Sequence, residues 1–401
     1  MNRPFLLAAA FAATGLLATS AFADWTFYRG PLQNGVSTEK LPALPSGDLR
    51  QLWKTNVGIG TSSVTVSGGH AFTMGNTGDQ DTIFCFDAAT GHQVWRYDYK
   101  LSSDPRNFEG GPASTPTVDG NRVFTVSHQG DLFCLDAATG KKIWYKHYQQ
   151  DFHGKRPQWG FAGSPLVEGN LLILDTGAPG ASTIALDKAS GNIVWKAGND
   201  EAGYASPIAA TLGAKRTIVM FKAAALVGLD AGNGQELWRQ PWKTSYDVNA
   251  ATPIVTGNRI FVSSGYGHGC ALLEVSGGRI AERWQNRNLR SHVNSPVVWQ
   301  GAVYGIDGDA SAKSPLVCLD LETGKVKWSE KMGGGALVIA DGKLVLLSEL
   351  GELIVGDASA DGFKPSLRQQ VLGKRCWVQP TVANGRIFCR NNNGDLAVLA
   401  W

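Results

Sequence analysis

The stretch Asp136-Ala-Ala-Thr-Gly-Lys-Lys-Ile-Trp144 decides the fold, because its pattern returns along nearly the whole chain. It reappears as Asp87-Ala-Ala-Thr-Gly91 leading to Trp95, Asp187-Lys-Ala-Ser-Gly191 to Trp195, Asp230-Ala-Gly-Asn-Gly234 to Trp238, and Asp320-Leu-Glu-Thr-Gly324 to Trp328. A degenerate copy, Glu274-Val-Ser-Gly-Gly278, leads to Trp284. Asp hydrogen-bonds backbone two residues on, and Gly takes a positive φ that other residues avoid, so each unit reads as a tight hairpin. The strand that follows ends on a large aromatic, which covers the edge of its own sheet or packs on a neighbour. Successive tryptophans lie 49, 51, 43, 46 and 44 residues apart, the size of one four-stranded propeller blade.

The strands between these units follow one scheme. Each blade opens on a small-residue-Pro or Ser-Ser step, as in Thr115-Pro, Ser164-Pro, Ser206-Pro, Thr252-Pro, Ser295-Pro and Gln379-Pro. A two-residue turn such as Asp119-Gly120, Glu168-Gly169, Asp341-Gly342 or Asn384-Gly385 then predicts a hairpin. Blades begin near Ser62, Ser114, Gly163, Ala205, Ala251, Asn294, Ala336 and Gln379, which makes eight. The last has three strands before Trp401, while Leu49-Arg-Gln-Leu-Trp-Lys-Thr-Asn56 is a strand without a blade. The expected fold is all-β: an eight-bladed β-propeller of four-stranded antiparallel blades over residues 49–401, closed by the N-terminal strand completing the C-terminal blade.

Residues 1–23 read as a secretory signal peptide. One positive charge precedes an apolar run from Phe5 to Leu17, and Ala21-Phe-Ala23 supplies a small-x-small cleavage site. The expected mature chain begins at Asp24 and is periplasmic or secreted, with no lipid-acceptor Cys, hence no lipid anchor, and no transmembrane segment. Residues 24–48 form an irregular segment that crosses the outside or one face of the domain. Removing Arg3 lowers the formal net charge from +3 to +2 (36 minus 34), which gives no general attraction to nucleic acid. Six cysteines lack disulfide, haem or zinc spacing; Cys85, Cys134 and Cys318 each sit two residues before a repeat Asp and read as small buried hydrophobes.

The repeated Asp-x-x-Thr-Gly-x-x-x-Trp unit resembles the tryptophan-docking motif of the pyrroloquinoline quinone (PQQ) repeat family, the quinoprotein alcohol dehydrogenase-like propellers. The resemblance covers residues 49–401, and the Trp25–Gly35 stretch resembles most the exported members of unassigned role. It implies three functional classes: calcium- and PQQ-dependent dehydrogenases of alcohols or sugars, propellers that bind a ligand or an envelope protein, and a lipid-anchored scaffold for outer-membrane protein assembly. The chain departs from the dehydrogenases in having no two adjacent cysteines, and from the assembly lipoprotein in lacking the lipid-acceptor Cys.

In a closed propeller the residues just before each innermost strand meet at one end of the axis. Here those segments are rich in Arg, His, Asn, Tyr and Trp. Arg106, Arg156, Arg290 and Arg375 suit carboxylates, and Trp159, Tyr246 and Trp377 suit a flat ring. Asp247, Asn249, Asn294 and Glu109 offer the hard oxygens that calcium takes. A tricarboxylated quinone on calcium would use these groups, with Asp247 as the candidate base and His292 as a second acid–base candidate. The alternative is that they hydrogen-bond neighbouring loops and fill a wet channel. The first functional reading is a binding propeller with a small molecule at its central channel or an envelope protein as partner. The second is the oxidoreductase. Clustering of Asp247, Asn249, Asn294 and an Arg around one cavity separates them.

Overall fold

The computed structural model describes residues 23–401 apart from 107 and 310, so the signal-peptide reading lies outside the described residues except at Ala23. Eight sheets form, seven of four strands and one of five. Blade 1 runs from Thr65–Ser67 through His70–Thr77 and Gln80–Asp87 to Gln93–Lys100, and the others repeat that order outward. Blade 8 takes its inner three strands from Thr381–Ala383, Arg386–Arg390 and Asp395–Ala400. Its outermost strand is Gln51–Asn56, antiparallel to the C-terminal strand with Trp53 opposite Val398, so the chain's two ends close the ring as expected.

The repeat hairpin is a hydrogen-bonded unit. Asp136 Oδ1 accepts from the Thr139 N–H at 2.9 Å and its hydroxyl at 2.7 Å, while the Gly140 N–H donates to Asp136 O at 2.8 Å with Gly140 at φ +70°. The N–H two residues on, the expected partner, also donates to the Asp in two copies, Ala89 to Asp87 at 3.1 Å and Gly232 to Asp230 at 2.9 Å, while the Thr hydroxyl adds a third bond where it is present. In all eight blades the outermost pairing shifts register just after the hairpin, close to the position held in most of them by the tryptophan. Such a bulge twists an exposed edge away from foreign strands.

The tryptophan packs on the next blade. Trp95 Nε1 donates to Ala137 O at 2.8 Å, and a Cβ on Gly140 would stand 2.7 Å from the Trp95 ring. Trp53 meets Ala88 O and Gly91, Trp144 meets Lys188 O and Gly191, and Trp195 meets Ala231 O and Gly234 in the same way. Trp284 does so with Leu321 O and Gly324. Trp238, which faces the degenerate copy, has a buried indole N–H without a partner.

A second girdle runs round the axis at the Ser/Thr-Pro steps. The backbone N–H of Ser63, Thr115, Ser164, Ser206 and Thr252 each donates to the hydroxyl one blade further on, at 3.0, 2.9, 2.9, 3.3 and 2.9 Å, ending on Ser295. Residues 24–41 cross one end of the ring, where Arg29 reaches Pro296 O and Gln379 Oε1 at the blade-opening steps. Trp25 bridges Val66 of blade 1, Gln33 Oε1 accepts from the Ala209 N–H of blade 4, and Val36–Ser37 adds in parallel to Ile339–Ala340 of blade 7. Of the two courses expected for this segment, the chain takes the one across a face.

Gly140→Ala is expected to destabilise the fold by about 2–4 kcal/mol in urea unfolding, the sum of a positive-φ penalty and overpacking against Trp95. Gly120→Ala, at φ +55° with open space around it, should cost only about 1 kcal/mol. Equal losses would show that the indole contact is not what holds neighbouring blades.

Candidate functional site

A cavity of about 250 Å³ lies on the ring axis. Its wall is made by residues that precede or open the innermost strands of seven blades, from Thr61 and Ser63 of blade 1 to Trp377 and Gln379 of blade 8. Tyr28 of the crossing N-terminal segment lines it too, so the cavity is blind at that end. At the other end stand half-buried Trp159 and Tyr266 and exposed Arg106. Aromatic edges continue into an arc: Trp159 lies 6.3 Å from Tyr246, Tyr246 5.3 Å from Tyr266, and Tyr266 4.6 Å from His292.

Of the residues singled out in the sequence, Arg106, Trp159, His292 and Trp377 line this cavity. Tyr246 touches its rim but is 67% exposed. Tyr246 and Asp247 border a second recess with Lys155 and Arg156. The arginines are already paired. Arg106 and Arg156 both bond Asp104, at 2.9 and 2.5 Å, and Arg290 holds Asp307 through two bonds of 2.8 and 2.5 Å. Arg375 lies 4.7 Å over the Trp377 ring and 3.3 Å from Glu109. Burial works against ionisation of Asp104, yet the hydrogen bonds from Arg106 and Arg156 outweigh it and hold its carboxyl below the usual range.

The oxygen donors proposed for calcium do not gather. Asn249 is sealed between blades 4 and 5: its Nδ2 donates to Lys222 O, Ala223 O and Trp242 O, and its Oδ1 accepts from Ser264 Oγ at 2.8 Å. Asn294 Nδ2 donates to Gly335 O at 2.5 Å and ties blade 6 to blade 7. Glu109 accepts from Asn392 Nδ2 at 2.9 Å as well as from Arg375, and Asp247 stands apart at the second recess. Among the described residues no three His, Cys, Asp or Glu side chains form a group able to hold a metal, and all six cysteines are free and buried. These residues do not fit a quinone carried on a cation.

Phe108, Tyr204 and Gln379 lie in the segments that the sequence brings to the axis, though none of them was singled out; Tyr28, Tyr266 and the girdle residues Ser63, Ser164 and Ser206 were not placed there. The Ser-Ser and Ser-Pro steps were the available signal for the last three; Tyr28 lies in a segment with no period at all.

The family model described as outer membrane protein assembly factor BamB matches residues 43–110 and 100–330, more than half of the chain. The chain belongs to this PQQ-repeat family. No curated protein matches it in sequence. Among solved structures, this member of the PQQ-repeat family is similar to BamB from Moraxella catarrhalis, with a TM-score of 0.67 and 16% identity over 88% of this chain and 100% of that one. The computationally designed Ika8 protein gives a TM-score of 0.63 with 13% identity, over 88% of this chain and 100% of Ika8. Quinohemoprotein alcohol dehydrogenase ADHIIG from Pseudomonas putida HK5 gives 0.54 with 12% identity, over 94% of this chain and 76% of that enzyme. These likenesses place the PQQ-repeat fold.

His292 provides a pH test of the cavity. Burial holds its imidazole below the ordinary value of 6.5, with the Asp309 carboxylate opposing, and its Nδ1 has no partner. The unfolded chain therefore takes up the proton first, and this residue's contribution is intact above about pH 6.5 and lost as pH falls below it. Thermal unfolding from pH 7.5 to 5.5 should show the native protein losing stability relative to His292→Phe; parallel curves would place His292 in solvent.

Proposed function

We propose that this propeller is an exported ligand-binding protein of the cell envelope whose site is the blind axial cavity, working without quinone redox chemistry. The observation that carries the reading is the cavity itself: concave, walled mainly by aromatic and small apolar side chains, with a few polar groups converging on it. The dispersal of Asp247, Asn249, Asn294 and Glu109 argues against the dehydrogenase reading. Export is supported by the bonding of Asp24, the residue after the expected cleavage site: its carboxylate accepts from Ser67 Oγ and the Gly68 N–H, both at 3.1 Å. A mature chain starting there keeps every contact of the crossing segment. A role in outer-membrane protein assembly, suggested by the family's description, would need a partner-binding face instead of a cavity.

The test uses the uncharged probe 2-naphthamide. It should quench tryptophan fluorescence and raise the unfolding temperature by mass action. Trp159→Ala should weaken binding about fivefold to tenfold, the loss of one aromatic contact of roughly 1–1.4 kcal/mol. Val194→Ala, on an outer strand far from the axis in the sheet order, should leave affinity unchanged. No binding of either 2-naphthamide or its acid, 2-naphthoate, or a calcium-dependent stabilisation by PQQ that Asp247→Ala removes, would sink this reading.

A further inference from the structure

Two guanidinium groups lie buried behind the cavity wall, Arg29 at the blind end and Arg390 between blades 8 and 1, and no carboxylate meets either. Arg29 is wholly buried; its Nη2 donates to Asn34 O at 2.8 Å and Pro296 O at 2.5 Å, and its Nη1 to Gln379 Oε1 at 3.4 Å. Arg390 is 1% exposed and donates to Ser62 O, Met74 O, Gly58 O and the Thr73 hydroxyl. Ser62 lies between Thr61 and Ser63, which both line the cavity. Burial pulls Arg29 down to about 10 and Arg390 to about 9, so both keep their charge at neutral pH. Carbonyl dipoles soften two such charges but do not cancel them.

Gln379 turns this charge toward the cavity. Its Oε1 faces Arg29, which fixes the amide so that Nε2 is the free end; Nε2 is buried without a partner in a side chain that lines the cavity and is 6% exposed. Ser164 and Ser206 spend their hydroxyl oxygens as acceptors in the girdle, leaving their O–H hydrogens to donate. Among the described lining residues none is acidic. The arginines at the loop end sit against Asp104, Asp307 and Glu109, whereas Arg29 at the blind end meets no carboxylate. That distribution suits one carboxylate and an uncharged body rather than a polyacid.

We propose that the axial cavity takes a small aromatic monocarboxylic acid, acid group inward against Gln379 Nε2 and the open girdle hydroxyls, ring among Trp159, Tyr204 and Trp377. The inference rests on the reading of the cavity as a ligand site and adds the ligand's charge and orientation. No bond is made or broken.

Calorimetric titration of the full mature chain with 2-naphthoate and with 2-naphthamide at pH 7.5 separates the two. The acid should bind about tenfold or more tighter than the amide, as expected for a charge-assisted hydrogen bond. Gln379→Glu keeps the side chain's size and gives Arg29 a counter-ion: the acid should lose at least about tenfold in affinity, the amide should change little, and the unfolding temperature should rise. Gln379→Met, which removes the donor without adding charge, should weaken the acid alone and serves if the Glu variant does not fold. Equal binding of acid and amide by the native protein would overturn the inference and leave the cavity a ligand site. Failure of both probes would overturn the inference and the ligand-site reading together.

Discussion

The indole of an outer strand lying over the glycine of the next blade, as in Trp53, Trp95, Trp144, Trp195 and Trp284, is the contact on which the ring depends. It needs two features at once, a tryptophan about one hairpin beyond its own glycine and, one blade later, a glycine without a Cβ. Six of the tryptophans at this position also donate Nε1 to a carbonyl of the following blade. The contact fixes the distance and angle between blades locally, so a chain that repeats it at five of its eight blade junctions curves until the ring closes. Blade 8 shows the consequence, since Trp53 completes that blade and also covers Gly91 of blade 1. Where the repeat decays, the contact decays: Trp238 loses its acceptor opposite Glu274-Val-Ser-Gly-Gly278, and Trp328 lies against Phe363 in place of a glycine.

Closure leaves an axis that must be filled or used. At one end residues 24–41 fill it, with Arg29 and Tyr28 entering between the innermost strands and a parallel strand added to blade 7. Gly35 marks how close the fit is, because a Cβ there would sit 2.9 Å from Val297 Cγ2 at φ +80°. Against that segment the girdle holds the innermost strands by backbone-to-hydroxyl bonds, which spend hydroxyl oxygens and leave hydrogens. The cavity that opens from the girdle is therefore lined by groups whose positions are set by rigid neighbours, the condition under which a site is preorganised.

The blade count, the closing strand and the axial placement of a site were all legible in the sequence, because each blade solves the same packing problem within some forty-five residues and repeats its answer. The content of the site was less so. Arg375 and Glu109 are separated by 266 residues, and Arg29 and Gln379 by 350, so the partner that neutralises or aims each group arrives only with closure. Residue type was a poor guide for the same reason: Asn249, an apparent cation ligand, spends its whole amide on inter-blade contacts, whereas Gln379, read only as the opening of a blade, keeps a donor open.

Backbone strain points the same way as the polar inventory. Asp341 and Asn384 take positive φ in two-residue hairpins, where short polar residues are at home. Tyr246 and Tyr266 take φ of +61° and +51° with bulky side chains at the rim of the cavity. Each such residue costs on the order of 1 kcal/mol or more and persists only where its surroundings over-determine it. Here the surroundings are one another: Tyr246 is held between Trp159 and Tyr266, and Tyr266 between Tyr246 and His292, while its N–H donates to Asp309 Oδ1 at 2.7 Å. A loop needed only to join two strands has cheaper conformations open to it. The arc instead keeps aromatic faces at the entrance to a cavity whose far end lies against the buried Arg29 and the open amide of Gln379, so the aromatic wall and the buried charge are in place before any ligand arrives.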